Sequence, residues 1–494
     1  MGGGQARRRR GGAARATVRA LSMAPPLLLA ACAVGPDYQR PSADIPAAWT
    51  TEQPWRPGKP ADTTEKGNWW EIFGDARLNA LEADVIAHNQ SLQVATERLT
   101  QARAQANAAS AAFFPAVTGN AGVLRERSSA NRPLANYALP NKSTAQTDHG
   151  AGFGVQYEVD LFGHVRRQVE AARADAAQAM SDLANARLVL TAEMAAYYFN
   201  LCAVDSEIDV VRQNIVAQRR ALDFVSSRHD MGVASGLDLA QQKSQLDTTI
   251  TQIDLLRVQR AQLEHALATL SGAPAPAFTV APQIVTMNVP AIPVGLPSDL
   301  LERRPDVASA ERAMAAANAR IGVARAAYFP SVPLVGAYGV DSNNIATLFN
   351  AASNLWSFGI SATQPIFDAG RISANVEFAQ AGYRATVAQY RQAVLTALQE
   401  VEDGMTGIGN LERASAEADA AVASAQRVVD LANDRYTGGL ANYLDVVSAQ
   451  QALLANERLQ AQIRGQQMLV AVFLVKALGG GWQNTGQPIA AAAP

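Results

Sequence analysis

A seven-residue repeat held over some forty residues, and found twice, constrains this chain more than any other feature. Ala176, Leu183, Leu190, Tyr197, Val204 and Val211 recur every seven residues, and four residues after each stand Met180, Arg187, Met194, Leu201, Ile208 and Ile215. Arg187 is the one polar intruder. The pattern returns as Tyr383, Tyr390, Ala397, Gly404, Leu411 and Ala418, followed by Val387, Val394, Val401, Ile408, Ser415 and Val422. A strict heptad over that length imposes left-handed supercoiling. Each segment reads as one helix, about Arg166 to Arg228 and about Ile372 to Arg435, and at ~1.5 Å per residue that is roughly 90 Å. A compact globule has no use for such helices, although a coiled-coil spacer or oligomerisation rod would.

The duplication extends beyond the heptads, which makes the unit a repeat. Ala111-Ala112-Phe113-Phe114-Pro115 returns as Ala326-Ala327-Tyr328-Phe329-Pro330, Leu161-Phe162 as Ile366-Phe367, and Gly232 with Leu237-Asp238 as Gly439 with Leu444-Asp445. Each half reads helix, strand, loop, strand, long helix, helix. The expected fold class is therefore mainly α with a transmembrane β-barrel, built from duplicated long coiled-coil helices and four strands per chain. The expected division is 1–31 a signal, 32–73 an N-terminal segment, 74–278 the first repeat with strands at 116–126 and 149–160, 279–297 a linker, 298–482 the second repeat with strands at 331–341 and 356–364, and 483–494 a disordered tail.

The strands argue against a simple rod. From His149 to Asp160 one face is Ala151, Phe153, Val155, Tyr157 and Val159, and the other is Gly150, Gly152, Gly154, Gln156, Glu158 and Asp160. Trp356, Phe358, Ile360 and Ala362 alternate with Ser357, Gly359, Ser361 and Thr363 in the same way. A half-buried sheet also alternates. Glycine and small polar residues on the second face suit a water-filled lumen, with lipid against the first. Their partners are Val117, Gly119, Ala121 and Val123, then Val332, Leu334, Gly336, Tyr338 and Val340, where Pro333 is an awkward strand residue. Four strands cannot close a barrel, and open edges in hydrocarbon leave backbone groups unsatisfied at several kcal/mol each. Three copies would supply twelve strands, on the order of the number an open pore needs.

The composition is poor in charge, and its hydrophobicity is spread thin instead of being gathered into membrane spans. Only 17% of the 494 residues are charged and 48% are apolar, against about a quarter charged in ordinary soluble domains. Beyond the first thirty-odd residues no apolar run approaches the ~20 residues of a membrane helix. At the N-terminus Arg7, Arg8, Arg9, Arg10, Arg15 and Arg19 precede an apolar stretch from Ala20 to Ala31, as in a secretory signal. Met1 and Met23 are both readable as starts. Leu29-Ala30-Ala31-Cys32 looks like a bacterial lipobox, with Cys32 the lipidated first residue of the mature chain. Loss of the six Arg would take the net charge from −2 to −8, so nothing suggests nucleic acid. Cys202 is then a lone thiol among apolar neighbours, read as buried and inert. The five His are scattered without ligand spacing, so no metal, no cofactor and no catalytic site is expected.

Further motifs point to a family. They are Val34-Gly35-Pro36-Asp37-Tyr38 with Pro41, Pro46 and Trp49; Trp69-Trp70 with Phe73, Asp75, Leu78, Leu81 and Asn89; the stretch from Leu296 through Leu301-Glu302-Arg303-Arg304-Pro305-Asp306; Asn318-Ala319-Arg320-Ile321-Gly322; and Leu478-Gly479-Gly480-Gly481-Trp482. Together they resemble the TolC-like outer membrane efflux protein family, in its OprM/NodT-type lipoprotein branch. The resemblance implies a homotrimer with a twelve-stranded barrel in the outer membrane and a twelve-helix periplasmic tunnel, partnered by a periplasmic adaptor and an inner-membrane RND-type pump. It implies the exit duct of an efflux pump; the duct of a type I protein or peptide secretion system shares the fold. A periplasmic adaptor would also carry a lipid and coiled-coil hairpins but lacks the duplicated strand pairs.

The turns Arg228–Asp238 and Arg435–Asp445 hold the candidate site. Ser235 with Asp238, and Asn442 with Asp445, have capping-box spacing with Asp at the third helical position. The family resemblance adds a second role, a periplasmic gate of tyrosine and aspartate rings, carried here by Tyr436, Asp445 and Asp238. Ala441 and Ser448 depart from the family's pattern at two gate positions, and Arg435 is the candidate substitute for the missing arginine.

Overall fold

The computed structural model describes residues 34–41, 67–131, 143–284, 289–290, 292 and 303–480. Cys32, the signal, Leu296–Glu302, Trp482 and the tail lie outside them. The elements are α1 (Ala76–His88), α2 (Gln90–Ser110), β1 (Ala116–Arg127), β2 (Ala145–Glu158), α3 (His164–Asp230), α4 (Gly236–Leu270), α5 (Pro305–Ala326), β3 (Pro333–Ser342), β4 (Asn354–Ile360), α6 (Arg371–Thr437) and α7 (Tyr443–Ala477). Both α3 and α6 have 67 residues, or about 100 Å at the standard rise. Among the described residues no helix is long and apolar enough to cross a membrane. The chain divides into two compact units.

The first unit, from Met1–Arg40, Gln101–Ala176 and Arg312–Val387, contains an antiparallel sheet in the order β1-β2-β3-β4 with both outer edges open. Gly119, Phe153, Tyr338 and Trp356 lie side by side in one row, and Val117, Val155, Gly336 and Phe358 in the next. On the opposite face the rows are Thr118, Gly154, Ala337 and Ser357, then Asn120, Gly152, Gly339 and Leu355. Apolar and aromatic side chains share one face, and the other is made of small or polar ones apart from Leu355, as the alternation requires. A Cβ on Gly339 would sit 2.5 Å from the Ala151 carbonyl oxygen, so only glycine admits this approach of β2 and β3.

Strand limits differ from the alternation at every terminus but one, and capping explains two of the differences. β2 stops at Glu158 because Asp160 turns to accept from the Val165 and Arg166 amides, at 3.2 and 2.9 Å, opening α3. It starts at Ala145 because β1 runs on to Arg127 and pairs with it. β4 ends at Ile360, beyond which Ser361 donates to the Pro333 carbonyl and Thr363 bridges back to Ser331. The Asp368 carboxylate accepts from Gly370 and Ile372 at the head of α6. Pro333 opens β3, where a missing amide costs least. The same unit holds the segment from Val34: the Val34 amide donates to the Phe162 carbonyl at 3.2 Å. Asn318 donates to Pro36, and the buried Arg167 pairs with Asp37 and Glu170 at 2.8 and 2.7 Å. Gly35 is left-handed, and its Cβ would meet Gly322 Cα at 2.6 Å. Two of the sequence motifs therefore exist to fit each other.

The second unit, from Pro41–Thr100, Ala177–Glu311 and Ala388–Pro494, buries the heptads. In α3 Met194, Leu201, Val204, Ile208, Val211 and Ile215 are buried, and in α6 Tyr390, Val394, Ala397, Val401 and Ala418. Met180 and Tyr197 are exposed, contrary to the heptad. Between Leu188 and Cys202 burial widens to take in Leu188, Thr191, Ala195, Tyr198 and Cys202 beside the heptad residues Met194 and Leu201, because Trp69, Trp70, Phe73 and α1 pack there. Phe73 lies 4.9 Å from Phe199, and the Trp69 indole donates to Thr191 at 3.1 Å. Burial pushes the Cys202 thiol up to about 12, which leaves it protonated and inert. Close helix approach explains glycines inside helices, where they otherwise cost about 1 kcal/mol: a Cβ on Gly465 would lie 2.4 Å from Ala203 Cβ.

Two polar groups anchor this unit. Arg304, buried, pairs with Asp306 at 2.7 Å and Glu400 at 2.5 Å, and donates to the Ala477 carbonyl at 3.0 Å. Burial opposes ionisation of Asp306, yet the Arg304 guanidinium holds its carboxyl below the usual range. The first expected helix is broken at Asn89, whose side chain accepts from Leu92 and donates to the Leu270 carbonyl, ending α1 and starting α2.

Glu82 is the exception, because its carboxyl is fully buried with neither oxygen hydrogen-bonded. Burial pushes its pKa to about 9 from a value near 4.5. The folded chain therefore holds a proton that the unfolded chain releases, so stability is lost as pH rises from about 4.5 toward 9. Glu82→Gln should remove this dependence, worth on the order of 3 kcal/mol between pH 5 and pH 8. Thermal unfolding of both proteins at the two pH values checks it; parallel curves would refute it.

Candidate gate at the helix turns

The two turns in the second unit are built alike from repeat-related residues and differ in how their caps close. At Asp230–Gly236 the left-handed Gly232 lets the chain reverse, and the Ala234 and Val233 amides return to the Arg228 carbonyl at 3.1 and 2.9 Å. Ser235 then caps α4 in a complete box: its hydroxyl accepts from Asp238 N at 3.1 Å and the Asp238 carboxylate accepts from Ser235 N at 3.3 Å. At the second turn Gly439 is the left-handed residue and Leu440 N returns to the Arg435 carbonyl at 2.8 Å. Asn442 accepts from Asp445 N at 3.1 Å. Among the described residues Asp445 makes no return bond, so its carboxylate is exposed and free of capping duty.

Between the turns the structure brings Tyr436 to Asp238, with the phenol donating across 3.4 Å. Tyr436 stands on the α6 heptad stripe that contains Val394, Val401, Val422 and Val429, and it is buried. Its ring packs against Tyr443 at 4.8 Å, within an apolar cluster of Val225, Ala234, Val446 and Val447. Burial first, and the Asp238 charge second, raise its phenol pKa. The Tyr443 hydroxyl donates to Gln242 at 2.8 Å, and Gln242 donates to the Gln218 carbonyl at 2.9 Å.

Arg435 is exposed and has no side-chain hydrogen bond or ion pair among the described residues. Its repeat mate Arg228 is the arginine at the cluster, with its guanidinium 5.3 Å from the Tyr436 ring centre and 5.7 Å from that of Phe224. Cation–π contacts of this kind are worth about 0.5–2 kcal/mol. Arg228, Tyr443, Gln242 and Gln218 are the residues that reading the sequence missed. The duplication pointed to Arg228, since a shift of 207 carries it onto Arg435. Among the described residues no group of His, Cys, Asp and Glu is placed to hold a metal ion.

A four-stranded sheet with an apolar face and open edges, joined to two 67-residue helices with heptad patterning, is the make-up of a membrane duct. The family profile described as outer membrane efflux protein matches residues 82–273 and 296–480. The toluene efflux pump outer membrane protein TtgF of Pseudomonas putida is 33% identical over 95% of this chain and 98% of that protein. The outer-membrane channel OprN superposes with a TM-score of 0.84 at 29% identity, covering 92% of this chain and all of that one. The open state of the MtrE outer membrane channel of Neisseria gonorrhoeae does so at 0.79 and 25%, over 92% of this chain. The chain belongs to the outer membrane efflux protein family. It is an outer-membrane efflux channel, a duct and not an enzyme.

Tyr443→Phe removes the only hydrogen bond made to buried Gln242 Oε1 among the described residues, which should cost about 1–3 kcal/mol. The expected result is a lower melting temperature and faster amide exchange at the starts of α4 and α7. Tyr436→Phe, which loses a longer bond, should cost less. Exchange unchanged in Tyr443→Phe would mean that the bond contributes nothing.

Proposed function

We propose that three copies of this chain form the exit duct of a tripartite efflux pump, passing small toxic compounds from the periplasm to the exterior. The observation that carries it is the sheet with two open edges and one apolar face. In a bilayer those edges must be paired by other copies, and three copies give twelve strands. Cys32 carries lipid in the outer leaflet's periplasmic counterpart. Val34, two residues on, is held at Phe162, next to the end of β2, which supports an anchor beside the membrane-spanning strands.

The partners are a periplasmic adaptor and an inner-membrane RND-type pump. Support for adaptor docking comes from the turns, which expose repeat-related apolar side chains, Val233 with Leu440 and Leu237 with Leu444. The periplasmic end is held closed at rest by Tyr436 with Asp238, and by Asp445 facing the axis; Arg228 takes the place first given to Arg435. The exposure of Asp445 supports this role, since a carboxylate not spent on its own cap is free to form a ring with its copies. Three such carboxylates favour cations.

Asp445→Asn removes the charge and keeps a capping acceptor. In planar bilayers the variant should lose cation selectivity and block by divalent cations. Unchanged selectivity and block would leave Asp445 as a helix residue and remove it from the gate. For the anchor, Cys32→Ser should abolish palmitate labelling, and persistent labelling would overturn the lipid assignment.

A further inference from the structure

We propose that the exposed edges of β1 and β4 meet between neighbouring copies in one fixed register, Phe358 opposite Ala121, locked at the strand ends by stacking of Phe367 on Phe114. This rests on the oligomeric reading above and deepens it to particular residues.

The template lies within the chain. β2 of the first repeat pairs with β3 of the second, Phe153 opposite Tyr338 and Ala151 opposite Val340. Just beyond the strands Phe162 stacks on Phe329, with ring centres 4.9 Å apart and planes 20° from parallel. A junction of the same kind, second repeat to first, has no counterpart inside one chain. It can form only from β4 of one copy and β1 of the next.

The repeat fixes how the template maps. A shift of 205 carries Phe153-Gly154 onto Phe358-Gly359, and a shift of 217 carries Gly119 onto Gly336 and Gly122-Val123 onto Gly339-Val340. The two hairpins test these shifts independently. Ala121 opposite Ala151 becomes Tyr338 opposite Trp356, and Gly119 opposite Phe153 becomes Gly336 opposite Phe358; both pairs are present. Applied to the β2–β3 junction, the same shifts put Phe358 opposite Ala121 and Trp356 opposite Val123 of the next copy, and by continuation Ile360 opposite Gly119. At two of the three pairs the side chains complement one another in size: β4 offers Phe358 and Ile360, both exposed, to Ala121 and Gly119 of β1, while Trp356 meets Val123. Gly119 and Ala121 leave room that a bulkier β1 would fill.

The ends agree. Before Pro115 and Pro330 the repeat shift is 215, so Phe329 corresponds to Phe114, and Phe162 corresponds to Phe367. In the single chain Phe114 is 73% and Phe367 88% exposed. Aromatic pairs of this geometry contribute about 0.5–1.5 kcal/mol beyond burial.

Cysteine pairs test the register in full-length protein in detergent. Directly opposed Cβ atoms lie roughly 4.5–5.5 Å apart and diagonal ones about 7–8 Å, while a disulfide needs about 3.5–4.5 Å. Ala121→Cys with Phe358→Cys should oxidise to a covalent oligomer that survives denaturation without reductant. Ala121→Cys with Trp356→Cys, or with Ile360→Cys, should not. Cross-linking of either shifted pair in preference would overturn the register. Native mass measurement of the wild type separates the two readings: a trimer with the wrong cross-link refutes this register alone, whereas a monomer refutes the oligomer. Independently, Phe114→Ala and Phe367→Ala should each lower the temperature at which the oligomer dissociates, and the double variant no further than the larger single effect. Additive lowering would overturn the stack.

Discussion

A strand edge presents a row of amides and carbonyls, and in hydrocarbon there is no water to receive them. Each group left unpaired costs several kcal/mol, so the open edges of β1 and β4 govern what else this chain can be. A single chain that placed those edges in lipid would carry a penalty larger than the whole stability of an ordinary domain, about 5–15 kcal/mol. The apolar face of the sheet suits lipid only in an assembly that hides the edges. The helices add a matching demand, because α3 and α6 leave Met180, Tyr197, Leu395 and Phe378 exposed, apolar surface that nothing among the described residues covers.

Duplication supplies the economy of the design, and the departures from it mark where the halves do different work. The strand pairs repeat down to individual cross-strand neighbours, yet the first strand of the second half carries two residues more between its Phe-Pro turn and its glycines. Pro333 sits in that insertion and starts β3. At the turns the departures are chemical. His229 becomes Tyr436 and Gly236 becomes Tyr443, so the second repeat alone brings the two phenols that reach Asp238 and Gln242.

Periodicity made the long helices and the strands legible because both patterns are local: a heptad or an alternation is complete within a few residues. What sequence could not show was tertiary competition for the same side chains. Asp160 fits the alternation of β2, yet its carboxylate caps α3. Tyr197 fits the heptad, yet Tyr198 is buried, because Trp69, Trp70 and Phe73 cover the neighbouring stripe. Asn89 reads as one polar residue within a helix and in fact satisfies the ends of two. The gate region divides in the same way. Capping spacing identified Asp238 and Asp445, but the choice between Arg228 and Arg435 depends on which arginine faces the other turn.

Polar contacts link the first helix pair, α3 and α4, to the second, α6 and α7, at several levels. Gln451 donates to Gln245 at 2.6 Å, and Arg458 reaches Glu207 at 3.0 Å and Gln252 at 3.2 Å. Nearer the turns come the buried Tyr443–Gln242 bond at 2.8 Å and finally Tyr436–Asp238 at 3.4 Å, next to solvent. Breaking a buried bond strands a polar group at about 1–3 kcal/mol, whereas a bond at the water's edge is replaced by one to water at little cost. Of these contacts Tyr436 with Asp238 is therefore the cheapest to break, and the buried Tyr443–Gln242 bond behind it costs more.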